Sequence, residues 1–141
     1  MAKRISSAEP PTSQKKHAVV IALRGDLGAG KTTFTQGFFR GLGVQRNPVS
    51  PTFVIMRRYK VPSRMSNVER HVTDVYHFDA YRLKKAEDVA VLEFGSILSN
   101  PRNIIIVEWP ERIRKVLPKQ TIWLEFRYGK KENERTIRAG S

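Results

Sequence analysis

The stretch HAVVIALRGDLGAGKTTF, His17 to Phe34, decides the fold. His17 to Gly25 is a short β-branched and apolar run closed by glycine, the pattern of a buried strand. KTTFTQGFFRGLG follows as a helix: Phe34, Phe38 and Leu42 recur at helical spacing, and Gly43 supplies a stop. Gly37 and Gly41 oppose that helix by about 1 kcal/mol each relative to alanine. Between strand and helix, GDLGAGKT matches G-x-x-x-x-G-K-[ST] at every fixed position: Gly25, Gly30, Lys31 and Thr32. Glycines allow a tight turn that brings backbone N–H groups up to phosphate oxygens. A helix starting near Lys31 directs its unpaired N–H groups and positive dipole end at the same anion. Lys31 then places a point charge on the β- and γ-phosphates, and the Thr32 hydroxyl ligates Mg²⁺. The expected nucleotide-binding loop comprises Gly25, Asp26, Leu27, Gly28, Ala29, Gly30, Lys31, Thr32 and Thr33.

A phosphate loop of this kind needs a carboxylate opposite it to hold metal and water. NIIIVEWPE, Asn103 to Glu111, offers Glu108 directly after four consecutive apolar residues. Sites in parallel sheets lie beyond the carboxyl ends of the strands, so Glu108 and Gly25 share one edge. An acid ending an apolar strand is costly unless it meets a cation or a donor. The plainer alternative is that the strand simply emerges into water there. Trp109 is a core residue, a wall of the nucleotide site or a partner anchor. HFDAYR, His77 to Arg82, places Asp79 in a strand, which disfavours aspartate, and Asp79 is a candidate to position the attacking water. His77 reads as an ordinary strand residue. Ser50-Pro51-Thr52 is a turn, or a segment whose Thr52 senses the γ-phosphate.

The rest of the chain sets bounds. Its 141 residues suit one domain. Residues 1–17 are polar, with Pro10-Pro11 and Lys15-Lys16, and are expected to form a mobile basic arm before a domain over 18–141. TFVIMRRYKV and VTDVYHFDAYRL read as an antiparallel pair around a polar loop, Pro62 to His71. KAEDVAVLEFGSILSN has a helical period through Val89, Leu92 and Ile97. TIWLEFRYG and ERTIRA read as a closing hairpin turning at Gly129 to Asn133. The expected fold is therefore α/β: a mostly parallel central sheet, added antiparallel strands and flanking helices. The absence of cysteine excludes disulfides and thiolate metal sites. No apolar run approaches the ~18 residues of a membrane helix, and no secretory signal is visible, so a cytoplasmic protein without a membrane partner is expected. The net charge of +13 suits an approach to polyanions, or simply a solvated basic surface.

In order, GDLGAGKTTF, GLGV, VSPTFVI, YHFDAYRL, IIIVEWPERI and LP resemble the TsaE (YjeE) family, small bacterial P-loop ATPases of tRNA threonylcarbamoyladenosine modification. The matching pieces cover most of the chain from Ile21 to Leu117. The resemblance implies ATP and Mg²⁺ as cofactors, with Thr32 and Glu108 attending the metal. It implies catalytic roles for Lys31, Asp79 and Glu108, a switch-like segment holding Ser50 and Thr52, and a place for Trp109 in the active region. It also implies action with TsaD and TsaB partners, with tRNA approached through the complex. The chemistry would be ATP and water to ADP and phosphate; transfer to the base belongs to TsaD. Family members carry an amphipathic N-terminal segment on the adenine side, whereas this chain has a Pro- and Lys-rich one. From the residues alone, a small-molecule kinase and a non-hydrolysing nucleotide-dependent adaptor are the competing readings.

Overall fold

The computed structural model describes residues 17–45, 55–62, 71–85, 88 and 93–140. Among the described residues six strands form one sheet: β1 (Val19–Gly25), β2 (Met56–Lys60), β3 (Asp74–Asp79), β4 (Asn103–Glu108), β5 (Ile122–Tyr128) and β6 (Arg135–Gly140). Their order is β2-β3-β4-β1-β5-β6. β3, β4, β1 and β5 run parallel, while β2 and β6 are antiparallel edges. The expected antiparallel pair is thus present as β2 and β3. β3 also belongs to the parallel core, because its continuous burial requires cover on both faces. The closing hairpin is β5 and β6, its turn fastened by the Gly129 N–H on the Glu134 carbonyl at 2.8 Å.

Alternation assigns the faces. Ile21, Leu23, Val75, Ile104, Ile106 and Phe126 point to the side covered by helix α1 (Lys31–Gly41). Val20, Tyr76, Phe78, Ile105 and Val107 point to the side covered by helix α2 (Phe94–Leu98) and a 3₁₀ segment, Pro110–Val116. Both faces of the central strands are apolar, which is why β4 reads as an unbroken hydrophobic run. Each fully buried side chain of this kind contributes about 1.5–3 kcal/mol.

Two expectations shift. In α1 the deepest residues are Lys31, Thr35 and Phe39, while Phe34, Phe38 and Leu42 flank the core half-buried. A narrow stripe sinks Phe39 edge-on to Tyr59 at 4.9 Å and leaves Phe34 to meet the Phe126 ring at 5.6 Å. α2 holds only the end of the expected helix; Ile97 is buried in it, whereas Val89 and Leu92 lie outside the described residues. Residues 1–16 of the expected arm and Ser50, Pro51 and Thr52 also lie outside them. Among the described residues no helix is long and apolar enough to cross a membrane.

Candidate phosphate-loop site

The loop joining β1 to α1 is shaped by what stands behind it. At Gly25, φ is 152°, and a Cβ there would lie 2.5 Å from the Phe126 carbonyl oxygen, so only glycine fits beside β5. At Gly28, φ is 79° and a Cβ would meet the Tyr128 hydroxyl at 2.8 Å. The hairpin also grips the loop by hydrogen bonds. Tyr128 Oη donates to the Leu27 carbonyl, and Arg135 Nε donates to the Gly28 carbonyl at 3.4 Å. These partners lie 101 and 107 residues away in sequence. Within the loop the Ala29 N–H bonds the Asp26 carbonyl at 3.1 Å, while the first N–H groups of α1 have no partner within the helix and are left for an anion.

That cavity, about 540 Å³, is lined by Leu27, Gly28, Gly30, Lys31, Thr32, Thr33, Asp79, Tyr81, Glu108 and Trp109. It lies at the carboxyl ends of β1, β3 and β4, where α/β sheets hold their ligands. Lys31 is folded back: its Nζ donates to the Gly25 carbonyl at 2.6 Å and sits 4.6 Å from the centre of the Trp109 ring. Trp109 adopts φ 56° and ψ 49°, a left-handed conformation that disfavours a bulky side chain. It brings the indole across the strand ends, where Tyr81 packs at 5.1 Å and Arg112 lies 5.4 Å over the Tyr81 ring.

Two carboxylates stand side by side opposite Lys31. Asp79 and Glu108 are register partners on the parallel strands β3 and β4. Asp79 Oδ1 accepts the Tyr81 N–H at 3.0 Å, which fixes the plane of its carboxylate. Glu108 is 9% exposed, and its Oε2 lies 3.0 Å from His77 Nε2. Alternation puts His77, Asp79 and Glu108 on the α1 side of the sheet, where Phe39 packs edge-on to His77 at 6.2 Å.

The sequence-derived residues therefore divide. Leu27, Gly28, Gly30, Lys31, Thr32, Thr33, Asp79, Glu108 and Trp109 converge on one cavity. Gly25 joins through its carbonyl to Lys31. Ala29 is fully buried beneath the loop, and Asp26 lines a neighbouring groove with Arg24, Trp109 and Arg127. Thr52 lies outside the described residues. Sequence reasoning passed over Tyr81 and the loop-gripping pair Tyr128 and Arg135. It also took His77 for an ordinary strand residue. A signal for His77 existed: a polar ring two positions before Asp79 must share its face of the strand.

A second cavity of about 600 Å³ continues beyond the loop, sharing Gly28, Gly30 and Thr33 with the first. Phe34, Phe38 and Phe126 make it largely apolar, with Arg135 and Asn133 at its rim.

Comparison with known proteins gives a consistent family. The family model described as threonylcarbamoyl adenosine biosynthesis protein TsaE matches residues 2–137. The tRNA threonylcarbamoyladenosine biosynthesis protein TsaE of Haemophilus influenzae is 38% identical over 113 residues, 79% of this chain and 64% of that protein. The protein of the same name from Bacillus subtilis is 38% identical over 122 residues, 85% of this chain and 69% of that one. The chain thus spans about two thirds of these relatives' lengths. The crystal structure of Bacillus subtilis YdiB superposes with a TM-score of 0.60 at 30% identity, covering 92% of this chain and 79% of that one.

Proposed function

The chain belongs to the TsaE family, named for tRNA threonylcarbamoyladenosine biosynthesis, and from that premise we propose that it is the ATP-binding, ATP-hydrolysing subunit of the machinery that makes this modification. The observation that carries the reading is the convergence of the glycine loop, Lys31, Asp79 and Glu108 on one cavity. The reaction is ATP and water to ADP and phosphate. Mg²⁺ and ATP both fit the donor set. Among the described residues no group of three or more His, Cys, Asp or Glu residues is arranged to hold a metal ion. Mg²⁺ does not need one, because it keeps several waters and takes one or two protein oxygens beside the phosphates. Thr32 and Glu108 would supply those oxygens. The metal, when bound, supplies neutralisation of charge on the phosphates.

The chain's own groups do the rest. The backbone N–H groups of Gly28 and of Gly30 to Thr33, at the start of α1, receive phosphate oxygens, while that of Ala29 is held by the Asp26 carbonyl at 3.1 Å. Lys31 exchanges the Gly25 carbonyl and the Trp109 face for the β- and γ-phosphates, so that an uncharged acceptor and an indole give way to an anion. Asp79, its plane set by the Tyr81 N–H, accepts a hydrogen bond from the attacking water. The second cavity takes the purine and ribose against the wall made by Phe34, Phe38 and Phe126, an apolar site of ordinary ligand size. It supplies the base contacts for which the resemblance points to an N-terminal segment. The chain acts with TsaD- and TsaB-type partners, reaching tRNA through them.

The test is phosphate release with and without the TsaD–TsaB pair and tRNA, for wild type and Lys31→Ala. Wild type should release phosphate slowly alone and faster with the pair. Lys31→Ala should fall to background while keeping its circular dichroism spectrum. Release by folded Lys31→Ala at the wild-type rate would sink the reading.

A further inference from the structure

Glu108 does not stand alone at the carboxyl end of β4. Its Oε2 is 3.0 Å from Nε2 of His77, a ring 3% exposed on the adjacent strand. The other ring nitrogen, Nδ1, is buried and has no hydrogen-bond partner among the described residues. A proton on Nδ1 would be stranded, whereas a proton on Nε2 meets a carboxylate oxygen. The geometry therefore selects one tautomer, with Nε2–H donating to Glu108 Oε2. Phe39, fully buried, packs against the imidazole and restricts its rotation. The strand that carries His77 also carries Asp79 two residues later, beside Glu108 in register.

We propose that His77 is a positioning residue: its Nε2–H fixes Glu108 Oε2, so that Oε1 alone is presented to the metal and water side of the cavity. This rests on the hydrolytic reading and extends it to a residue that touches neither phosphate nor metal. A carboxylate with one oxygen tethered has lost the torsional freedom that would otherwise let it turn away from the metal side. Such outer partners of metal-side carboxylates typically matter by 10–100-fold in metal affinity or activity. Burial alone does not account for His77. The apolar alternation of β3 on this face would be completed more cheaply by valine or leucine, since a buried imidazole must satisfy its N–H.

The experiment has two arms. The first reads the nucleotide-free protein by long-range ¹H–¹⁵N NMR of its histidines, of which there are three. His77 should appear as the Nε2–H tautomer with a downfield, slowly exchanging proton, and Glu108→Gln should shift that proton. A Nδ1–H tautomer would overturn the proposal. The second arm compares His77→Ala, His77→Gln and wild type, each verified folded by its thermal transition. His77→Ala should lower kcat roughly 10–100-fold and weaken the Mg²⁺ dependence of ADP binding, measured by calorimetry, while the KM for ATP changes less than threefold. His77→Gln, whose side-chain N–H₂ reaches a position near Nε2, should recover most of the loss. Equal loss in both variants, or wild-type kinetics in a folded His77→Ala, would overturn it. Because wild type runs in parallel, absence of hydrolysis in every sample indicts the hydrolytic reading, and the NMR arm still decides the tether.

Discussion

At the scale of single residues, each buried polar side chain among the described residues has at least one partner, although single atoms such as His77 Nδ1 and Asn103 Oδ1 have none. Lys31 is 8% exposed, yet it has the Gly25 carbonyl and an indole face. These are contacts that a phosphate can replace, so the lysine is held without being locked. Asp74 is the opposite case, a structural acid. Burial pushes its carboxyl upward, but hydrogen bonds from Arg58, Thr73 and Lys60, with the charge of Arg58, outweigh that and hold it below its ordinary value of 3.8. The ion pairs are Arg58 at 2.8 Å and Lys60 at 3.2 Å, both reaching across from β2. A depressed folded value means that the stabilisation is present above pH ~4 and is lost as pH falls through the lower folded value. Denaturant titrations from pH 7 to pH 2 should show wild type losing more stability than Asp74→Asn across that window. Because both cations are largely solvent-exposed, the difference should also shrink in high salt.

At the scale of elements, one substitution should act with opposite sign in the loop and in the helix behind it. Gly25→Ala drives a methyl group to 2.5 Å from the Phe126 carbonyl oxygen and 3.0 Å from its Cβ, and neither backbone atom nor strand register can yield cheaply. It should destabilise the protein by about 2–3 kcal/mol and lower Tm by several degrees. Gly37→Ala meets no atom within 4 Å on an exposed turn of α1 and should raise stability by about 0.5–1 kcal/mol. Calorimetry on the pair checks both; stability gained by Gly25→Ala would contradict the close approach of loop to β5. Much of this element was legible beforehand. The run ending at Gly25, the loop and the helix after it are local in sequence, and local periodicity reports them. So is the Ile104–Val107 run that delivers Glu108. What was not legible is set by contacts far apart in the chain. No pattern around Leu27 or Gly28 announces that Tyr128 and Arg135 will hold their carbonyls, and His77 acquires its meaning only when β3 pairs with β4. Phe34, Phe38 and Leu42 do pack against the core, but their spacing does not reveal that Lys31 lies deeper, because it is drawn inward by the loop carbonyl rather than by hydrophobicity.

At the scale of the whole molecule, the sheet divides into a rigid centre and a light margin. β4 is buried at every position, whereas β6 is exposed at every position and is held mainly by its pairing with β5. Margins of this kind open most easily. Yet the hairpin of which β6 is the outer arm grips the loop from behind, through Tyr128 at the end of β5 on Leu27 and Arg135 at the start of β6 on Gly28. Loop and hairpin therefore share their free energy: whatever orders the loop steadies the hairpin, and by reciprocity a loosened hairpin weakens binding at the loop. Saturating Mg²⁺ and ADP should slow amide exchange through the hairpin, from Tyr128 to Ile137, including residues other than Asn133, Arg135 and Ile137, which line the second cavity. Tyr128→Phe removes one hydrogen bond, worth about 1 kcal/mol, and should weaken ADP binding roughly fivefold and erase part of that protection. Exchange in β6 that is identical with and without nucleotide would mean that the hairpin is only an edge cover. Protection that survives in Tyr128→Phe would assign the coupling to Arg135 instead.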